Sequence, residues 1–318
     1  MMLLVWPLMC LAEGEPLSSS EGASLFDWID KPRDALSEKF VSLSTRMDRF
    51  FADETVFRES RGSYLRLFGD LTLKEAASSD FKPRLQAKLT LPALEQRLKL
   101  LIESDDVTTE NISPTPAPTH AGAPNVDVPK DFRAALQALV TDSPHWNITT
   151  DGGVRIHAPV EPFARLRARR VQDVREWQFR FIETVYWFLQ PGAGESTQFD
   201  ADRRLSEYYL ARSRTLATWR DQEQRFDFEQ GFYLFQTIDE RNAMAYQVNV
   251  FGLSQPNSHV SGYALSAKWR HRLHREWLFL EVQPVLFWPE EESFHSTPSI
   301  MLRLEGIFGD AACGCYGL

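Results

Sequence analysis

Pro298-Ser-Ile-Met-Leu-Arg-Leu-Glu-Gly-Ile-Phe308 sets Ile300, Leu302, Leu304, Gly306 and Phe308 at one parity and Met301, Arg303, Glu305 and Ile307 at the other. Successive side chains of a β-strand point to opposite faces, so this stretch is a strand with one apolar and one charged side. The same alternation runs back to about Arg61, in segments whose connections alternate between short and long.

Twelve such segments are predicted, at 62–74, 82–91, 95–103, 152–170, 175–189, 197–205, 208–219, 224–238, 241–253, 261–272, 276–288 and 298–308. Most come near the roughly 9–11 residues that a tilted strand needs to cross a bilayer. Short turns on one side, longer loops on the other and an even count make a bacterial membrane barrel. Segment 152–170 is read as one bent strand, because Val154 to Ala168 keep one parity through Pro159 and Pro162. Pro159-Val-Glu-Pro162 also suits a turn. Residues 104–150 are read as one long external loop, with a Pro-rich stretch at Ser113–Pro124 and a short helix at Phe132, Leu136, Leu139 and Val140. The predicted fold is therefore all-β, an antiparallel transmembrane β-barrel of about 12 strands over residues 61–308.

Residues 1–12, Met1-Met-Leu-Leu-Val-Trp-Pro-Leu-Met-Cys-Leu-Ala12, resemble the apolar core and cleavage site of a signal peptide. Residues 13–60 are read as a periplasmic segment. In it Ala35, Leu36, Phe40, Val41, Leu43 and Met47 predict an amphipathic helix over about Pro32–Phe51. A lid packed on the barrel mouth is the expected role, with a plug or a partner-binding helix as alternatives. Residues 309–318 form a tail whose Cys313 and Cys315 supply too few ligands for a structural metal site. The net charge of -9 argues against a nucleic-acid partner held by a basic surface. The 22 Phe, 9 Trp and 8 Tyr crowd the strand-like segments, as aromatic girdles require. No apolar run reaches the roughly 18 residues of a spanning helix.

Alternation alone leaves open which face is buried. A soluble lipocalin-like barrel hides the apolar parity, whereas a membrane barrel turns it to lipid. The strand count and the aromatics near several strand ends favour the membrane arrangement. The closing strand, ending on Phe308, resembles the terminal strand of bacterial outer-membrane proteins, whose aromatic end is read by the barrel-assembly machinery. Over about 62–310 the chain resembles uncharacterised Gram-negative outer-membrane β-barrel proteins. His274-Arg-Glu-Trp-Leu-Phe-Leu-Glu-Val-Gln-Pro284 and Leu302-Arg-Leu-Glu-Gly-Ile-Phe308 carry that likeness. The resemblance implies an outer-membrane location, with outer-membrane lipid and the assembly machinery as partners, and brings no activity with it.

With the polar parity inward, the expected lumen lining is Arg66, Asp70, Arg84, Lys88, Arg97, Lys99, Arg155, Arg165, Arg167, Arg169, Arg180, Arg225, Asp227, Glu229, Lys268, Arg270, Glu281, Arg303 and Glu305. Rings of Arg and Lys favour anionic solutes, which makes a narrow pore one reading. Buried charges must also be paired, so a structural barrel filled by cross-strand salt bridges is the other.

An enzyme reading has one foothold. His259-Val-Ser261 puts a His and a Ser two apart at a strand end, on the lipid-facing parity, similar to the His-x-Ser arrangement of outer-membrane phospholipases. Asn257 is placed to orient the His. No partner motif accompanies the pair, so a non-enzymatic barrel is expected, with a lipid hydrolase and a soluble periplasmic β-barrel as alternatives. His271 and His274 flank a tight turn without a carboxylate pair or Cys to complete a metal site. No metal and no cofactor is expected.

Overall fold

The computed structural model describes residues 46–48, 50–51, 62–74, 79–91, 98–104, 132–143, 145–156, 159–190, 192–274 and 277–309. The strands are β1 (Tyr64–Lys74), β2 (Asp80–Thr90), β3 (Leu98–Ser104), β4 (Phe132–Asp142), β5 (Trp146–Ile156), β6 (Glu161–Val174) and β7 (Trp177–Phe188). They continue as β8 (Gly192–Arg204), β9 (Tyr209–Arg220), β10 (Arg225–Thr237), β11 (Asn242–Leu253), β12 (His259–His274), β13 (Leu278–Pro289) and β14 (Thr297–Gly309). Each pairs antiparallel with its sequence neighbours, and β1 closes the ring on β14 from Tyr64↔Gly309 to Lys74↔Ser299. Closure leaves no row of backbone donors and acceptors unpaired at a sheet edge, which a wall inside a bilayer cannot tolerate.

The end of the barrel that holds Tyr64 and Gly309, here the terminal mouth, carries short connections such as 143–145, 175–176, 205–208 and 238–241. The opposite loop mouth carries the long connection between Ser104 and Phe132 and the segment with the 3-10 turn Glu290–Glu292. Short turns beside the termini and long connections opposite them are the bacterial barrel arrangement.

The barrel has 14 strands, which corrects the expected count of about 12. One correction lies at Phe132–Val140, expected as a helix, which forms β4. A β-bulge between Leu139 and Thr141 shifts the parity there. The shift leaves Phe132, Leu136, Leu139 and Val140 at a spacing that imitates a helix. The other correction lies at 152–170, which is the end of β5 and the start of β6 with the turn at Pro159 between them. Val154 pairs with Pro162, a residue of the same parity, so the alternation passes through the hairpin unbroken. The start of β5 was hidden by composition. Asn147-Ile-Thr-Thr-Asp-Gly-Gly153 reads as loop, yet Asn147, Thr149 and Asp151 are its buried face.

The predicted N-terminal helix is corrected too. Among the described residues it amounts to a single turn at Arg46–Asp48 and Phe50. The rest of Pro32–Phe51 lies outside the described residues, as do the signal-peptide segment, Arg97, the Pro-rich stretch and the tail with Cys313 and Cys315.

Candidate functional site

Exposure decides which face is which. Leu67, Phe232 and Leu304 are 42%, 54% and 49% exposed on the outer wall, while Lys88, Glu281 and Glu305 on the opposite parity are at 0%. Water would reward the reverse, because apolar area belongs inside and charge outside. This is the arrangement of a membrane barrel. Aromatic rings mark both rims of the apolar wall, with Trp146, Trp177 and Phe308 towards the terminal mouth and Phe226, Tyr263 and Phe294 towards the loop mouth. At the terminal rim Arg170 lies 5.3 Å over Trp146 and Arg203 lies 5.4 Å over Trp177, as cations do where a wall meets headgroups.

Inside, the charges are joined into networks. Glu305 takes Arg66 at 2.7 Å on Oε1 and Arg270 at 2.7 Å on Oε2. Arg270 also pairs Glu281, which reaches Arg303 at 3.4 Å. Arg303 donates to Asp70 at 2.6 Å, and Asp70 pairs Arg84. That chain of ions crosses β12, β13, β14, β1 and β2. Across the lumen, Arg212 donates to Asp202 at 2.6 Å and Arg214 to Asp200 at 2.8 Å. On β5 and β6, Arg165 donates to Asp151 at 2.6 Å, and Arg155 pairs Glu161 at 3.2 Å. Each of these acids sits within reach of a guanidinium on a neighbouring strand, which offsets the cost of removing both from water.

The helical turn joins the second network. Asp48 accepts from Arg180 at 2.8 Å and from Arg212 at 2.7 Å. Both arginines stand four residues into their strands from the terminal mouth. Met47 packs with Leu210, Tyr233, Phe235 and Ala245, and Phe51 packs beside them. Phe50 meets Phe279 edge-on at 6.2 Å on the far wall. The described part of the segment therefore lies inside the barrel rather than across its rim as a lid.

Of the residues expected to line the lumen, Arg66, Asp70, Lys88, Lys99, Arg165, Arg180, Glu229, Lys268, Arg270, Glu281 and Glu305 are buried on the inner face. Arg84, Arg155, Arg167, Arg169 and Arg303 share that parity and are half-buried. Arg225 and Asp227 stand at the loop-mouth rim, where Arg225 donates to Asp227 at 3.0 Å and pairs Glu223 at 2.8 Å. Asp48, Arg133, Asp151, Asp200 and Asp202 line the interior but were not among the expected residues. A signal existed for two of them. Asp200-x-Asp202 and Arg212-x-Arg214 mirror each other about the turn between β8 and β9, so Asp200↔Arg214 and Asp202↔Arg212 follow from the hairpin alone.

The His-x-Ser pair does not assemble a hydrolase site. His259 Nε2 lies 3.0 Å from Glu290 Oε2, and Nδ1 lies 2.6 Å from the carbonyl oxygen of Asn257. Both ring nitrogens thus face acceptors, which leaves no lone pair directed at Ser261. Asn257 acts through its backbone, not its side chain. His271 stacks on Trp269 at 5.4 Å and His274 meets Trp277 at 6.1 Å, both at the terminal rim.

No protein-family model matches this chain, and no curated protein is similar to it in sequence. Solved structures with a similar course include OprB of Pseudomonas putida, at 8% identity and TM-score 0.46, covering 78% of this chain and 94% of that one. OmpT of Vibrio cholerae matches at 7% identity and TM-score 0.44, over 79% of this chain and 99% of its own. A KdgM porin in complex with disordered oligogalacturonate matches at 4% identity and TM-score 0.37, over 76% and 99%. At such scores these likenesses assign no residue and no solute, and the reading below stands on this chain's own geometry.

Proposed function

We propose that the chain is an integral outer-membrane barrel of a Gram-negative bacterium, without enzymatic activity, whose lumen is a narrow pore preferring small anions. One observation carries the preference. From β4 to β7 the inner parity bears Arg133, Arg155, Arg165, Arg167, Arg169 and Arg180 against Asp142, Asp151, Glu161 and Asp173 among the described residues. On the adjoining β8 and β9, Asp200 and Asp202 are matched by Arg214 and Arg212. A lumen with one cationic arc raises the local concentration of anions and lowers that of cations.

A second reading is the structural barrel whose ions fill its interior. The burial of Arg270, Glu281 and Glu305, with side chains at 1% exposure, favours it. Planar-bilayer recording separates the two. A pore gives unitary steps whose reversal potential in a KCl gradient shows chloride preference, and replacing Arg167 and Arg169 by Glu moves that potential towards potassium. A folded barrel that stays silent supports the filled reading instead, and cation preference in the unaltered chain removes the anion proposal.

A further inference from the structure

Strands β7 to β10 break the rule that the outer wall follows elsewhere. In the middle of β7, Glu183 takes the outward parity between Phe181 and Val185. Its register partner Thr197 on β8 donates to Glu183 Oε2 at 2.8 Å, and Glu195 is the next outward residue on that strand. On β9, Thr215 donates to Gln230 Oε1 of β10 at 2.6 Å, and Gln230 Nε2 donates to Ser213 at 3.0 Å. These six side chains form one contiguous patch, since Thr197 and Thr215 are diagonal neighbours across β8 and β9. Among the described residues, Glu183 and Glu195 are the carboxylates found at outward strand positions. Glu183 Oε1 is shut off from solvent and receives no hydrogen bond.

Hydrocarbon offers these groups no partner, and charge on a lipid-facing wall costs most near mid-depth. Polar side chains that persist in a bilayer face other protein, and small residues there let two backbones approach. Ala201 and Ala217 are the small residues of the patch, and Phe199, opposite Thr215, stands outward between them. We infer that this patch docks a second copy of the chain, side by side in the membrane.

Three features select a second copy as the occupant. Copies inserted in the same direction carry the patch at one depth, so it meets its twin with no vertical shift. The patch has two unlike halves, with acceptors Glu183 and Glu195 on β7 and β8 and hydroxyls Ser213 and Thr215 beside Gln230 on β9 and β10. A two-fold axis along the membrane normal swaps left for right, so the acidic half of one copy faces the hydroxyl and amide half of the other. The inference rests on the membrane reading of the barrel.

Single cysteines test it, in a full-length chain whose Cys10, Cys313 and Cys315 are replaced by Ser. Thr215→Cys lies in the patch, and Leu67→Cys lies on β1, on the far side of the ring. Oxidation in native outer membranes is expected to link Thr215→Cys into a species of twice the chain mass, and to leave Leu67→Cys unlinked. Adding Glu183→Leu with Glu195→Leu is expected to cut the linked fraction several-fold while the unheated gel band keeps its folded mobility. Linkage of Thr215→Cys no greater than that of Leu67→Cys overturns the inference. So does linkage to a species of any other mass, which would point to a different partner chain. If the Glu variants fail to fold, the comparison of the two cysteine positions still decides. Recovery of the chain as a soluble protein without a heat-dependent shift would instead remove the membrane reading beneath both proposals.

Discussion

Glu305 holds one arginine on each carboxylate oxygen, and all three side chains are sealed from solvent. Removing one member of such a set leaves uncompensated charge in a medium that solvates it poorly. Glu305→Ala is therefore expected to cost about 3–5 kcal/mol, read as a lower urea midpoint of the folded barrel in lipid or detergent. Replacing Glu305, Arg66 and Arg270 together by Leu and two Met is expected to cost less, because Glu281, which loses Arg270, still reaches Arg303 at 3.4 Å. A contrasting carboxylate sits in the 238–241 turn. Asp239 Oδ1 accepts from the backbone N–H of Arg241 at 2.7 Å and of Asn242 at 2.9 Å. The bond from Arg241 leads in holding its carboxyl below the ordinary value of 3.8. The folded value lies under the unfolded one, so this stabilisation is full above the unfolded value and is lost as pH falls through the folded one. Asp239→Ala should lower stability at neutral pH by less than about 1 kcal/mol, the group being exposed. A urea series should show that difference vanish once the carboxylate is protonated.

Among the elements, β4 and β5 are the instructive pair. A Cβ at Gly153 would lie 2.2 Å from the carbonyl oxygen of Ala134 and 2.6 Å from Ala135 Cα, whereas one at Gly152 would meet nothing within 4 Å. Backbone cannot yield as a side chain can. Gly153→Ala is thus expected to destabilise by about 1–3 kcal/mol and Gly152→Ala to stay near zero, measured by the same unfolding midpoint. In this hairpin the alternation is also least legible. Strands such as β14, with Leu304 and Phe308 facing lipid and Arg303 and Glu305 facing in, declare themselves by strict alternation. In β4 a bulge breaks the alternation, and in β5 the inner face is so polar and so small that a strand looks like a turn. The two omissions compensate in parity, so the even count survived while the number did not. Asp48 was illegible for another reason. Its meaning lies in Arg180 and Arg212, which are 132 and 164 residues away along the chain.

At the scale of the whole molecule, the turn around Asp48 bridges opposite walls near the terminal mouth. Cutting its two ion pairs should loosen that obstruction. Asp48→Ala is expected to raise single-channel conductance, or the open fraction, relative to the unaltered chain in planar bilayers. Equal currents in both would show that the turn does not limit passage. Paired ions buried in the lumen are also little screened by salt, unlike charges on an aqueous surface. The unfolding midpoint should accordingly move little as ionic strength rises.

The seam between β1 and β14 joins residues as distant as Arg66 and Glu305, 239 positions apart. That distance sets a timetable for assembly. Until the last strand exists, β1 has no outer neighbour, and Arg66 lacks the carboxylate that neutralises it. Pairing between chain ends is the slowest kind of contact to form, because the entropy of closing the intervening loop is lost before any reward arrives. No partial ring is therefore expected to rest stably, and the polypeptide is expected to reach the bilayer whole and unfolded. Truncating β14 is therefore expected to leave a chain that is made but never inserted, read as loss of the heat-shifted band from the membrane fraction.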